Sequence, residues 1–211
     1  MYVPKLFQQK DWQEIKSVIE HHSFATLVTC TGDAPVATHL PLRLVESAPD
    51  KWTLQGHMSR ANPHWRVFEE GKKSLAIFSG PHTYVSPRWY DHVNVPTWNY
   101  IAVHIYGKVR LLADGAELHS VMKGLVDQFE GHIAEPARYA IEKLPPDFLQ
   151  SQLNGIVGFE MPVDEIQASF KLSQNRNDAS HANVVAELNK SDGQSAREVA
   201  RIMSCQRVRH E

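Results

Sequence analysis

The chain has 211 residues, with 22 lysines and arginines against 24 aspartates and glutamates, and a formal net charge of −2. That length suits one large domain, or one domain with a small appendage, and buries a substantial core. The near-neutral balance argues against a global basic field for nucleic acid or anionic lipid. Two distant cysteines, Cys30 and Cys205, exclude a disulfide framework and a cysteine metal or redox spacing.

In chain order, Asp11 followed by Glu14 is a capping-box pattern, and Trp12, Ile15 and Ile19 at helical spacing predict a helix over 12–20. Phe24 to Cys30 reads as a buried strand, closed by a turn at Thr31-Gly32-Asp33. Val36 to Leu44 alternates, with Thr38, Leu40 and Leu42 on one side and His39, Pro41 and Arg43 on the other, and reads as one strand. Trp52 to Met58 alternates again, so these strands read as an antiparallel meander. Asn62 and Pro63 are a good cap and first residue for a short helix that Gly71 ends. A strand over 74–79 leads into a long aromatic loop, 80–98, without a clean period, and strand returns over 101–112.

Leu118, Val121, Met122, Leu125, Val126 and Phe129 share one face of the clearest helix. A short helix over 148–153, strands over 156–161 and 165–172, and two tail helices around 184–188 and 195–204 complete the pattern. About six mostly antiparallel strands with helices between and after them predict a mainly β fold, a barrel or a sandwich. The charged start of the chain (Lys5, Lys10, Asp11) argues against a signal peptide, and no stretch reads as a membrane span. A cytoplasmic location is the expectation.

Chemistry concentrates in a few segments. Gly56 to Pro63 passes from a strand end through Arg60 to a helix start, which suits a phosphate but equally suits an ordinary cap with a surface arginine. The 80–90 stretch, with His82, Tyr84 and Trp89, can cover a flat ring or simply pack on itself. Thr97, Trp98 and Asn99 precede a strand. Lys171, Ser173, Gln174, Asn175 and Arg176 gather at the end of another. The histidines show no HExxH pattern. No nucleophile elbow, P-loop or dinucleotide fingerprint is present in the sequence, so no metal site is expected and no catalytic residue is assigned.

Taken together, seven strings in order carry a resemblance along the chain. They are Met1-Tyr2-Val3-Pro4, HLPL at 39–42, GHMSRANPHW at 56–65, GPHTYVSPRWY at 80–90, VPTWNY at 95–100, VHIYGKV at 103–109 and KLSQN at 171–175. The chain resembles the PaiB-like FMN-binding negative transcriptional regulators. The resemblance implies an FMN-binding split β-barrel, pyridoxamine-phosphate-oxidase-like, over residues 1–175, with a helical C-terminal extension over 176–211. It implies a homodimer holding FMN at the subunit interface.

By analogy with that class, Thr38, His39, His57, Arg60 and Asn62 serve the phosphate side, and the backbone of Leu40 and Met58 lies near the ring. Trp98 and Asn99 approach the ring or ribityl chain, and Lys171, Ser173, Gln174 and Asn175 come from the partner subunit. Two roles follow. One is a regulator sensing through FMN. DNA is then a candidate partner through Arg197, Arg201, Arg207 and Arg209, although such a cluster is commonly a solvated face. The other is a flavin oxidoreductase acting on a small molecule, with His57, His82 and Tyr84 as candidate proton donors.

Overall fold

The computed structural model describes residues 1–32, 34–134 and 136–208, without the side chains of Arg207 and Val208. Asp33 of the expected turn, Arg209 and the Arg207 side chain therefore lie outside the described residues. Among the described residues the chain forms β1 (Phe24–Thr31), β2 (Ala34–Pro41), β3 (Arg43–Ala48), β4 (Lys51–Ser59) and β5 (Lys73–Val85). It continues with β6 (Thr97–Lys108), β7 (Arg110–Leu111), β8 (Ile156–Pro162) and β9 (Glu165–Lys171). The helices are α1 (Trp12–His21), α2 (His64–Val67), α3 (Gly115–Glu130), α4 (Pro146–Asn154), α5 (Asp178–Asn189) and α6 (Gln194–Val208). Five strands make one sheet in the order β2-β1-β5-β6-β9, and four make a second in the order β3-β4-β8-β7. The expected mainly β class with helical decoration is what the structure has.

The chain divides into two compact units. The larger comprises Lys16–Phe78 and His104–Ile166, and the smaller Met1–Ile15, Ser79–Val103 and Gln167–Glu211. In the larger unit β1 pairs antiparallel with both β2 and β5, and β4 with both β3 and β8. Leu27, Leu42, Leu54, Phe78, Ile105, Phe159 and Met161 are fully buried there. Each such side chain contributes about 1.5–3 kcal/mol by leaving water. In the smaller unit Val85, Val103, Val184, Val199 and Ala200 have no exposed surface.

Three expectations are corrected. The strand expected over 36–44 is two strands, β2 and β3, in different sheets. Pro41 has no N–H to continue pairing, and the Leu42 N–H donates instead to the Ser23 carbonyl at 2.9 Å, which turns the chain. The expected aromatic loop over 80–98 is partly strand, since β5 runs to Val85 and β6 starts at Thr97. Burial on β5 falls on 74, 76, 78 and 80, then moves to 81 and 85. That one-residue shift of phase hides the strand from a period-two reading. The amphipathic face of α3 is real at Val121 and Leu125, but Phe129 at its end is 46% exposed.

Other local signals behave as read. Asp11 Oδ1 accepts from the Gln13 N–H at 2.8 Å and the Glu14 N–H at 3.3 Å, capping α1. Gly71, at φ 65°, ends the 3-10 turn that extends α2.

Candidate functional site

The larger unit holds Thr38, His39, Leu40, His57, Met58, Arg60 and Asn62 of the expected flavin set. Thr38 lies on β2, and Asn62 follows β4 just before α2. The Asn62 amide donates to Thr38 Oγ1 at 3.1 Å, and Asn62 Oδ1 accepts the His64 N–H at 3.0 Å. Thr38 Oγ1 also lies 2.8 Å from His64 Nδ1. From His64 Nε2 the chain continues inward, 3.0 Å to Thr29 Oγ1 and from there 2.7 Å to Ser74 Oγ. A hydrogen-bonded path thus runs from half-buried Thr38 and Asn62 to a fully buried Thr29–Ser74 pair.

His64 is the hub of this path and is only 1% exposed. Its ring packs 5.1 Å from Phe68, which in turn lies 5.6 Å from Phe159. Burial lowers its pKa, so the neutral ring offers one donor and one acceptor to its two hydroxyl neighbours. The sequence reading did not single it out. The available signals were His64 and Phe68 at i and i+4 of a short helix, and hydroxyls at positions 29 and 74 on the buried side of apolar strands.

His39 is exposed on β2, with Nδ1 3.0 Å from Thr26 Oγ1 and its ring stacked 6.4 Å from Phe24. Leu40 and Met58 are buried, 3% and 4% exposed, so they meet a ligand through backbone atoms or not at all. His57 takes another direction. It pairs with Gly158 of β8, where an added Cβ would meet Leu118 of α3 at 2.5 Å. At the neighbouring Gly56 a Cβ would instead strike Leu42 and Phe159, at 2.7 and 2.9 Å. Gly56 therefore faces the core and His57 the side that α3 covers. Its Nδ1 is buried without a hydrogen-bond partner, and burial lowers its pKa.

Arg60 is exposed but already engaged. Its Nε and Nη2 donate to the carbonyls of Asn154 and Ile156, each at 2.8 Å, which ties the end of α4 and the start of β8 to the β4–α2 loop. The helix beyond Asn62 is a single α turn followed by a 3-10 turn, so its dipole adds little pull on an anion.

The smaller unit holds Trp98, Asn99, Lys171, Ser173, Gln174 and Asn175. Trp98 and Asn99 sit on opposite faces of β6. Trp98 is 54% exposed and packs against Tyr84, itself 45% exposed, at 6.2 Å, and against His82 at 6.3 Å. Asn99 has no exposed surface. Its amide donates to Ser173 Oγ at 2.9 Å and to the Met203 sulfur at 3.4 Å, and Ser173 Oγ donates back to Asn99 Oδ1 at 3.2 Å. Ser173 holds the left-handed backbone conformation, φ 61°, that non-glycine residues rarely adopt. Gln174 turns back on its own loop, accepting the Leu172 N–H at 2.7 Å and donating to the Phe170 carbonyl. Lys171 donates to Thr97 Oγ1 at 2.6 Å and lies over the Phe7 ring, while Asn175 is exposed.

The tail stretch after KLSQN anchors α5. Asn177 Oδ1 caps the helix at the Ser180 N–H, 2.9 Å, and its amide reaches Asp91 Oδ2, also at 2.9 Å. Ser180, Asn177 and His92 all donate to the Asp91 carboxylate and hold its pKa down, to about 2, Ser180 most strongly. Among the described residues no group of three or more metal-ligating side chains could hold an ion. Among them, too, no helix is long and apolar enough to cross a membrane.

This chemistry fits FMN in kind. Exposed Trp98, with Tyr84 edge-on beside it at 75°, offers an aromatic face of the kind the ring requires. In the larger unit Thr38 and Asn62 offer hydroxyl and amide groups of the kind a polyol takes, and in the smaller unit Lys171 offers a cation of the kind a phosphate takes. The fold has counterparts among solved structures. The structure is similar to the FAD and heme binding protein from Mycobacterium smegmatis, with a TM-score of 0.60 at 16% identity, over 83% of this chain and 78% of that one. It is also similar to the flavocytochrome Anf3 from Azotobacter vinelandii, with a TM-score of 0.63 at 14% identity, over 86% and 78% of the two chains. These likenesses define the fold, a split β-barrel.

Residues 1–165 match the family described as "Putative FMN-binding domain", and the chain belongs to that family. FMN is the cofactor this membership assigns. The chain is 41% identical over 203 residues to protease synthase and sporulation protein PAI 2 of Bacillus subtilis, covering 96% of each chain. It is 35% identical over 153 residues to an uncharacterized protein of Saccharomyces cerevisiae, over 62% of this chain and 90% of that one.

Proposed function

We propose that this protein is a cytoplasmic, homodimeric, FMN-dependent negative transcriptional regulator of the PaiB-like kind. The observation that carries the reading is the 41% identity running over 96% of both chains to the Bacillus subtilis protein. The slight negative net charge favours regulation exerted through FMN or a partner protein over a broad DNA contact of the chain's own. The fold places no chemistry by itself, so an oxidoreductase activity is the competing reading.

In this proposal residues 1–175 are the FMN-binding part and 176–211 its helical extension. Thr38, His39 and Asn62 touch the ribityl and phosphate groups, with Leu40 and Met58 contributing backbone atoms near the ring. Trp98 lies against the ring. Lys171 and Asn175 reach the flavin from the partner subunit. Arg60, Asn99, Ser173 and Gln174 act as positioning residues, each holding the backbone near a contacting group, and His57 belongs to the seat through its place on β4 beside Met58. Bound FMN supplies redox capacity. The chain's own residues bind it, orient it and limit its contact with water.

Mixed dimers test the arrangement. Asn62→Ala and Lys171→Glu, each prepared alone, retain little FMN after gel filtration. When the two are unfolded and refolded together, a heterodimer contains one seat with both halves intact, so about one quarter of the sites regain flavin. Recovery near that level supports a shared site. No recovery, with each variant folded and dimeric, contradicts it. Monomers that bind FMN stoichiometrically contradict the dimer altogether.

A further inference from the structure

The hydrogen-bonded path through His64 has a direction, and its protons fix it. Thr29 of β1 and Ser74 of β5 are cross-strand partners, so their hydroxyls meet on the buried face, 2.7 Å apart. Each residue is 1% exposed. Among the described residues the Ser74 hydroxyl bonds only to Thr29, and the Thr29 hydroxyl only to Ser74 and His64 Nε2. When Nε2 is bare, Thr29 donates to it, Ser74 donates to Thr29, and both hydroxyl protons are placed. When Nε2 carries the ring proton, it donates to Thr29, and the two hydroxyls have only each other as acceptors. One buried proton is then left unbonded, which disfavours that arrangement by roughly tenfold to a hundredfold. The ring is neutral because burial lowers its pKa, so the proton absent from Nε2 sits on Nδ1.

The outer end follows the same logic. The Asn62 amide is oriented by the backbone, since its Oδ1 accepts the His64 N–H at 3.0 Å. Its Nδ2 therefore donates to Thr38 Oγ1, at 3.1 Å. The Nδ1–H of His64 donates to that same oxygen, at 2.8 Å. A hydroxyl oxygen has two lone pairs, and both are now taken. Thr38 is left able only to donate, and among the described residues nothing accepts its proton. The residue is half-buried, so this proton is within reach of a ligand.

We propose that His64 is a positioning residue whose Nδ1–H tautomer makes Thr38 a donor-only group, reserved for a phosphate oxygen of the bound flavin. The ligand half of this inference rests on the FMN reading above. A phosphate dianion only accepts, and a hydrogen bond to it is charge-assisted, roughly twice as strong as one to a neutral ribityl hydroxyl. Ser74 donates to Thr29, Thr29 to His64 and His64 to Thr38, and each bond polarises the next toward the ligand.

The test uses the full chain with isotope-labelled histidine, titrated with FMN and, separately, with riboflavin, which lacks the phosphate. Proton–nitrogen correlation spectra of the ligand-free protein at neutral pH show His64 protonated at Nδ1 and bare at Nε2. FMN moves the Nδ1 resonance, and riboflavin does not. Thr38→Val lowers FMN affinity at least about tenfold and riboflavin affinity less than about threefold, while Thr38→Ser keeps FMN affinity within about threefold of wild type. A ring protonated at Nε2, an Nδ1 resonance that responds alike to both flavins, or equal losses of the two affinities in Thr38→Val overturns the proposal. The wild-type spectra decide the matter even if Thr38→Val fails to fold. No uptake of FMN contradicts the flavin reading and the phosphate assignment together, whereas uptake with a bare Nδ1 contradicts this inference alone.

Discussion

The two polar knots, one around His64 in the larger unit and one around Asn99 in the smaller, are built from similar materials and point in opposite directions. Both tie a strand to a following loop through short side chains. Around His64 the hydrogen bonds begin at the buried Thr29–Ser74 pair and end on half-buried Thr38 and Asn62. Around Asn99 they end inside, on Ser173 and the Met203 sulfur. The difference teaches that a polar string beside a strand yields accessible groups or buried ties according to the parity of each residue on the strand. Trp98 and Asn99, adjacent in sequence, receive opposite assignments for this reason alone.

The largest effect expected from breaking this comparison is on His64. His64→Leu removes two hydrogen bonds from a buried path and lowers the unfolding free energy by about 2–4 kcal/mol, measured by urea denaturation. Because Thr38 loses the ring that anchors it, while the backbone N–H at 64 still holds Asn62, FMN affinity falls with it. Asn99→Leu costs less, about 1–3 kcal/mol, since Ser173 loses its partner and the Met203 sulfur only a weak one. FMN affinity then drops only as far as the Lys171–Asn175 loop shifts. If Asn99→Leu abolishes flavin binding while His64→Leu spares it, the assigned directions of the two knots are reversed.

A pH series sharpens the same comparison. His57, His64, His104 and His181 all have pKa values lowered by burial from an ordinary 6.5. A group whose folded pKa lies below its unfolded one binds more protons when unfolded. The stability it contributes is full above pH 6.5 and is lost as pH falls below that value. Thermal denaturation midpoints should therefore decline from pH 6.5 toward 5. Each fully buried histidine contributes up to about 1.4 kcal/mol per pH unit. The decline is shallower in His64→Leu, while Asn99→Leu retains the wild-type slope.

The smallest stability effect belongs to Trp98→Ala, under about 1 kcal/mol because the ring is half exposed. Its flavin effect is large by contrast. Bound FMN in this variant loses the fluorescence quenching that a stacked indole provides. Unchanged quenching places the ring elsewhere.

Much of the architecture was legible in the sequence. The caps at Asp11 and Gly71, the α3 periodicity and the alternation on β4 are local signals, and local physics honoured them. The break at Pro41 and the continuation of β5 through Gly80-Pro81 were not. Both depend on what the backbone meets in space: a carbonyl at Ser23 in the first case, and in the second Ile101, whose side chain would lie 3.0 Å from a Cβ at Gly80. The site divided in the same way. Its segments were readable as strings. The inward turn of Asn99, the engagement of Arg60 with two carbonyls and the hub role of His64 are tertiary facts that no spacing records.

The most direct measurement is the absorption spectrum of the purified protein after incubation with FMN and removal of excess by gel filtration. The account predicts a flavin spectrum at about one FMN per chain, eluting with a dimer-sized peak. Flavin-free protein recovered after saturation with FMN would contradict it.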